Sequence, residues 1–222
     1  IATRHSYTPV KKGAKLAATR IIPLIIEKEK MEAAKYAAGE TPLVNVLPYQ
    51  LKTAALITTG GEVAKGLIQD TFSDVVIEKL QAYGIETVEH CYPGDDENLI
   101  TEKILEYKAK GVDMILCTGG MSVDPDDRTP GAIKRSGASI VTYGAPVLPG
   151  AMFLLGYFED KTPVMGLPGC VMYAKSTIFD IMLPRIVAGI PVKAEDFYVL
   201  GHGGLCLGCA ECRFPDCSFG KV

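Results

Sequence analysis

What is scarce in this 222-residue chain bounds it before any motif does. Positive charge is not in excess: 23 Lys and Arg stand against 26 Asp and Glu, a net charge of −3. A surface that grips a phosphate backbone needs surplus cations to displace counterions, so nucleic acid is not an expected partner. Long apolar runs are missing too. "RIIPLIIEK" falls far short of the ~18 residues of a membrane span, so no segment is expected to enter a bilayer. Histidine is limited to His5, His90 and His202, which show no catalytic spacing and read as loop or strand residues. The chain begins at Ile1 rather than methionine, and its first twenty residues lack the apolar core of a signal peptide. It is expected to be an internal piece of a longer, cytoplasmic protein.

Apolar residues make up 48% of the chain and charged residues 22%, a globular balance at a length that can bury a real core. Residues 1–50 differ from the rest. They hold the β-branched run "RIIPLII" beside proline and a short Ala/Glu/Lys helix, "EKEKMEAAKYAAG", ended by Gly39. The prolines of "ETPLVNVLPYQ" mark a boundary near Gln50. From Leu51 onward strand and helix signals alternate. "TAALITT" precedes a helix with Phe72, Val76, Leu80 and Tyr83 on one face, stopped by Gly84. "IETVEHCY" precedes one with Ile100, Ile104 and Tyr107 at helical spacing, stopped by Gly111. "VDMILCT", the helix "TPGAIKRSG", the strands "ASIVTYG", "AMFLLGYF" and "PVMGL", and the helix "VMYAKSTIFDIMLPRIVAG" follow. Such repetition implies an α/β fold on a mostly parallel, doubly wound sheet, preceded by a small β-rich segment. The expected divisions are 1–50, 51–192 and a cysteine-rich tail, 193–222.

In open α/β sheets ligands gather beyond the carboxyl ends of the strands. Three predicted strands end there in glycine turns: Thr59, Gly60, Gly61 and Glu62; Gly119 and Gly120; Pro168 and Gly169. Glycine permits close backbone approach and positive φ. Thr129 as N-cap and Pro130 as first helical residue start the helix "PGAIKRS", placing Asp127 in the loop before it. A helix start favours anions, yet "DPDD" would repel a bare phosphate; a divalent cation reconciles the two. Mg²⁺ is held by one or two carboxylates plus substrate phosphates. Asp95 and Asp96 supply a carboxylate pair at another strand end, and Asp70 a third site. Asp95, Asp96 and Asp127 could equally be helix caps or solvated loop residues, and Glu62 and Asp70 surface residues; the convergence on one sheet edge favours a ligand site.

The seven cysteines form two groups. Cys91, Cys117 and Cys170 are scattered and read as reduced thiols, Cys170 as an inert buried one. Cys206, Cys209, Cys212 and Cys217 have the spacing C-x2-C-x2-C-x4-C, which suits an iron–sulfur cluster with one gap lengthened, or a structural Zn²⁺ site, or unliganded thiols on a flexible terminus.

From about Thr53 to Pro191 the chain resembles the molybdopterin-binding domain of molybdenum-cofactor biosynthesis, shared by the molybdopterin adenylyltransferase and the molybdenum insertase. The likeness rests on "TTGGEVAKGLIQD", "YPGDDENLI", "CTGGMSVDPDDRTPGAI" and "GLPG", in that order. It implies a three-layer α/β/α fold that binds the pterin phosphate across these loops. Asp95 and Asp127 would match the family's acidic catalytic residues, Gly119, Gly120 and Ser122 would line the phosphate pocket, and the Gly166 to Gly169 turn would close it. Two departures stand out. Asp124 replaces the last glycine of the insertase pattern "GGxSVG", and Cys170 and Val171 follow "GLPG" where Asn-Pro is usual. The resemblance further implies Mg²⁺, molybdopterin as substrate or ligand, ATP in the adenylyltransferase case, a homodimer or homotrimer, and a molybdoenzyme as a further partner. Both candidate reactions are phosphoryl chemistry in which positioning and charge neutralisation dominate. A non-catalytic molybdopterin carrier or sensor with a metal-bearing tail is the alternative, and a nucleotide-pyrophosphate hydrolase on the same fold is the third reading.

Overall fold

The computed structural model describes residues 1–222 except Ile21, Ile68, Pro125 and Val222. The chain divides into two compact units, Ile1–Pro48 and Tyr49–Val222. In the first, β1 (Ala2–Thr3) pairs antiparallel with β2 (Ala17–Ala18), and α1 (Lys28–Ala38) follows. The helix stops at Gly39, whose φ of 69° lies in the left-handed region that glycine adopts freely, and none of its residues is buried. Ile22–Ile26 is bent and open chain rather than strand, because Pro23 has no N–H for a ladder.

The second unit is built on a six-stranded sheet in the order β4-β3-β5-β8-β7-β6. Its strands are β3 (Thr53–Thr58), β4 (Glu86–Cys91), β5 (Met114–Thr118), β6 (Ser139–Tyr143), β7 (Leu154–Tyr157) and β8 (Pro163–Leu167). β4, β3, β5 and β8 run parallel, as the strand–helix alternation predicts. β7 runs antiparallel to both neighbours. Only residues 158–162 separate β7 from β8, and a parallel crossover needs a dozen or more. The helices are α2 (Gly61–Ala64), α3 (Phe72–Gln81), α4 (Glu97–Ala109), α5 (Thr129–Arg135), α6 (Ile178–Val187) and α7 (Ala194–Tyr198).

Alternation along the central strands generates three layers, because successive side chains leave opposite faces of a sheet. Ala54 and Leu56 of β3, Met114 and Leu116 of β5, and Met165 and Leu167 of β8 face α3 and α6, meeting Phe72, Val76, Leu80, Phe179 and Met182. Ala55 and Ile57, Ile115 and Cys117, and Val164 face the other way, onto Ile100, Ile104 and Tyr107 of α4 and Ala132 and Ile133 of α5. The α/β/α sandwich follows from this pattern.

The single helix expected over "VMYAKSTIFDIMLPRIVAG" is two elements, a 3₁₀ turn at Gly169–Met172 and α6. Thr177 starts the second with a capping box. Its hydroxyl accepts from Phe179 N–H at 3.2 Å, while Asp180 accepts from Thr177 N–H at 2.7 Å. Lys79 of α3 pairs with the same Asp180, tying the two helices on this face. Buried Arg185 of α6 reaches Asp196 of α7 at 3.0 Å, and Phe219 near the chain end is buried in the core beside α6. Among the described residues no helix is long and apolar enough to cross a membrane.

Candidate functional site

The chain leaves β3, forms β4 on one side of it, then returns to form β5 on the other. The carboxyl ends of β3 and β5 therefore flank the point where strand order reverses, where the crossover connections diverge and leave a crevice. The paired residues there are Thr58 and Thr118. Their hydroxyls meet at 3.1 Å, both buried. Thr59 extends the contact: its N–H donates to Thr118 O at 2.8 Å, and its hydroxyl lies 3.1 Å from the same carbonyl and 3.3 Å from the Thr129 hydroxyl. Thr129 in turn donates to Gly119 O at 2.9 Å.

This explains the glycine turn after β5. Gly119 has φ +81°, and a Cβ there would sit 2.6 Å from Thr59 O and 2.7 Å from Thr59 Oγ1. At Gly120, φ +54°, a Cβ would meet Thr129 Oγ1 at 2.8 Å. Thr59, Gly119, Gly120 and Thr129 are thus packed backbone to hydroxyl, with no room for side chains at the two glycines. α5 begins at Thr129 with Arg128 at the N-cap position, one residue earlier than the capping chemistry predicts, because the Thr129 hydroxyl turns to Gly119 and Thr59 instead of capping its own helix.

The carboxylates divide by role. Asp95 reaches across from the β4–α4 loop and accepts Gly61 N–H at 2.6 Å, joining two strand-end loops. Asp127 lies two residues before Thr129. Its Oδ2 is shielded from solvent yet has no hydrogen-bond partner among the described residues, a costly state for a carboxylate oxygen. Its charge reaches Tyr143 at the end of β6: burial first, then Asp127, raises that phenol above its ordinary range. The Tyr143 hydroxyl lies 3.4 Å from Ser122 O, placing Ser122 beside the same loop. Asp96 caps α4, accepting Asn98 N–H at 2.8 Å and Leu99 N–H at 3.3 Å. Glu62 is exposed on α2. Pro168 and Gly169 stand one strand beyond, after β8, where a Cβ on Gly169 would meet nothing within 4 Å. Thr59, Gly60, Gly61, Asp95, Gly119 and Gly120 are linked by direct contacts or by adjacency in the chain, and Asp127 and Ser122 lie in the loop that follows Gly120.

Asp70 belongs to a polar network that the sequence reading missed. It accepts Phe72 N–H and Ser73 N–H, both at 3.0 Å, and the Ser73 hydroxyl. Ser73 lies 2.8 Å from Thr58 Oγ1, and His90 Nε2 lies 2.9 Å from Thr58 Oγ1 and 3.2 Å from Ser73 Oγ. Tyr92 packs against the His90 ring at 4.5 Å with the planes tilted by 40°, and hydrogen-bonds Asp70. Burial would push the Asp70 carboxyl up, but hydrogen bonds from Ser73, Phe72 and Tyr92 together hold it below its ordinary value. Burial lowers the His90 imidazole, with Asp70 and Asp74 pulling it partly back. The signal for this network in the sequence was faint: β3 and β5 both end in threonine, and the helix after Asp70 carries a serine one turn on.

The four tail cysteines lie in residues 206–221, which form no helix or strand. All seven cysteines are free. Among the described residues no group of three or more His, Cys, Asp or Glu side chains is close enough to hold a metal ion. The metal expected at Cys206, Cys209, Cys212 and Cys217 is therefore not preassembled. The tail bends around a cavity of about 610 Å³ that all four cysteines line.

The family model described as "Probable molybdopterin binding domain" matches residues 55–188. Over 196 residues the chain is 26% identical to the molybdopterin molybdenumtransferase of Synechococcus elongatus, across 83% of this chain and 46% of that protein. Over 83 residues it is 37% identical to a CinA-like protein of Desulfosudis oleivorans, across 37% of this chain and 20% of that one. The chain spans less than half the length of these curated relatives. Among solved structures, the molybdopterin biosynthesis enzyme MoaB of Thermus thermophilus superposes with a TM-score of 0.50 at 22% identity, over 64% of this chain and 100% of that one. CinA of Thermoplasma acidophilum gives 0.50 at 18%, over 62% and 99%. These two likenesses are of the fold.

Proposed function

The chain belongs to the molybdopterin-binding domain family of molybdenum-cofactor biosynthesis, and we propose that it holds the molybdopterin phosphate at the β3–β5 crevice during cofactor maturation. The observation that carries this reading is the shielded, unpartnered Asp127 Oδ2 beside the tightly packed Gly119–Gly120 turn. A buried carboxylate oxygen without a donor is accounted for when a cation or a ligand donor completes it. The donor set suits Mg²⁺, which takes one or two protein carboxylates and fills its remaining positions with water and phosphate. Asp127 and Asp95 would hold it, and bound there it would neutralise charge on the phosphates. The chain's own contribution is placement: Asp95 orients the Gly61 amide, Thr59 and Thr129 fix the glycine turn, and the exposed start of the 3₁₀ turn at Gly169 leaves room for the pterin.

The likeness to a molybdopterin molybdenumtransferase, running over 83% of this chain, favours molybdate insertion, with cleavage of adenylylated molybdopterin, over adenylyl transfer from Mg-ATP. The test incubates the chain with adenylylated molybdopterin, Mg²⁺ and molybdate, and measures AMP release and pterin-bound molybdenum. Wild type is expected to release AMP, and Asp127→Asn to do so about 100-fold more slowly. Pyrophosphate from Mg-ATP and molybdopterin, without AMP release, would replace insertion by adenylyl transfer. Tight pterin binding with neither product would make the chain a carrier.

A further inference from the structure

Outside the crevice, the four tail cysteines line one cavity. Both ends of the segment that bears them are pinned. Cys206 N–H donates to Leu148 O at 2.8 Å, and Leu148 N–H donates to Gly204 O at 2.8 Å. At the far end Gly220 N–H donates to Gly203 O at 2.9 Å, and Phe219 is buried in the core. Between these clamps Cys206, Phe214 and Cys217 pack against the core, while the stretch from Leu207 to Cys212 is exposed. Leu207 is 75% exposed, Cys209 and Cys212 are exposed, and Lys175 Nζ reaches Ala210 O at 3.1 Å. Ser176 approaches Cys212 Sγ at 3.4 Å. A stretch closed at both ends that buries so little apolar surface is the situation in which small folds use a cross-link.

We propose that Cys206, Cys209, Cys212 and Cys217, which share one cavity of about 610 Å³, are the ligands of a single tetrathiolate metal centre that closes the tail onto the segment before α6. Four thiolates around Zn²⁺ or a [4Fe–4S]²⁺ core leave a net charge of about −2. The cavity wall answers that charge with Lys175 and Arg213, against one acid, Glu211. Thiolate sites of this kind assemble as the metal binds and displaces the thiol protons. The four ligands lie outside the matched family region, residues 55–188, so the centre is an addition to the pterin fold and independent of the crevice reading.

The test is metal and sulfide analysis of the whole chain, expressed with iron and zinc supplied and purified without oxygen, alongside its visible absorption spectrum. About one zinc per chain, colourless, or about four irons with matching sulfide and a cluster spectrum, supports the centre and identifies it. The exposed positions Cys209→Ala and Cys212→Ala should abolish the metal while the urea unfolding transition of the core stays cooperative; Cys91→Ala should retain it. Protein expressed with both metals supplied that carries no zinc or iron and reacts with a thiol reagent at all four tail cysteines, a disulfide between tail cysteines, or metal retained in the Cys209→Ala/Cys212→Ala double variant would overturn the proposal.

Discussion

Substituting Gly119 with alanine tests how the crevice is built. Two costs are expected. The left-handed φ of +81° penalises any side chain by roughly 1–2 kcal/mol. The new methyl would also lie 2.6 Å from Thr59 O, a backbone atom held by the Thr59–Thr118 pairing, and overpacking of that kind costs about 1–3 kcal/mol. Gly111→Ala separates the two, because Gly111 has φ +77° with nothing within 4 Å of its added Cβ. It should lose only the first amount. Urea unfolding of both variants, with unchanged m-values, should place Gly119→Ala about 1–3 kcal/mol below Gly111→Ala, a melting difference of roughly 2–12 °C. Only Gly119→Ala should also weaken molybdopterin binding, since relief of the clash pushes Thr59 and Gly60 out of place. Equal destabilisation by the two variants would refute the close-approach argument.

His90→Gln should flatten the acid side of the stability profile. The folded imidazole titrates below its ordinary value because of burial, so its stabilisation is complete above pH ~6.5 and is lost as pH falls through the folded value; an unchanged slope would contradict this, read by melting from pH 8 to 5. Thr177→Ala removes one half of the α6 capping box and should cost about 1 kcal/mol in urea unfolding, with Thr177→Ser restoring most of it.

The layers were legible because periodicity maps directly onto burial. Phe72, Val76 and Leu80, and Ile100, Ile104 and Tyr107, are all buried on the faces that their spacing predicts, and Gly84 and Gly111 follow their helices with positive φ. The reversed direction of β7 was not legible, since "AMFLLGYF" reads as a buried strand in either sense and only the short link to β8 decides. Nor was the break before α6, where Thr177 and Asp180 lie inside an otherwise continuous helical pattern. At the crevice, glycine turns and aspartates could be picked out because they are unusual after strands. The hydroxyls of Thr58, Thr118, Thr129 and Ser73 could not, because each is ordinary alone and they meet only through the register of β3 with β5 and the packing of α3.

Calorimetric titration of molybdopterin into wild type, Asp95→Asn, Asp127→Asn and the double variant, with and without Mg²⁺, addresses the crevice most directly. If the two carboxylates share one cation at the pterin phosphate, Mg²⁺ should tighten wild-type binding, each single variant should lose most of that gain, and the double variant should lose little more than either. Magnesium dependence that survives in the double variant would contradict the assignment.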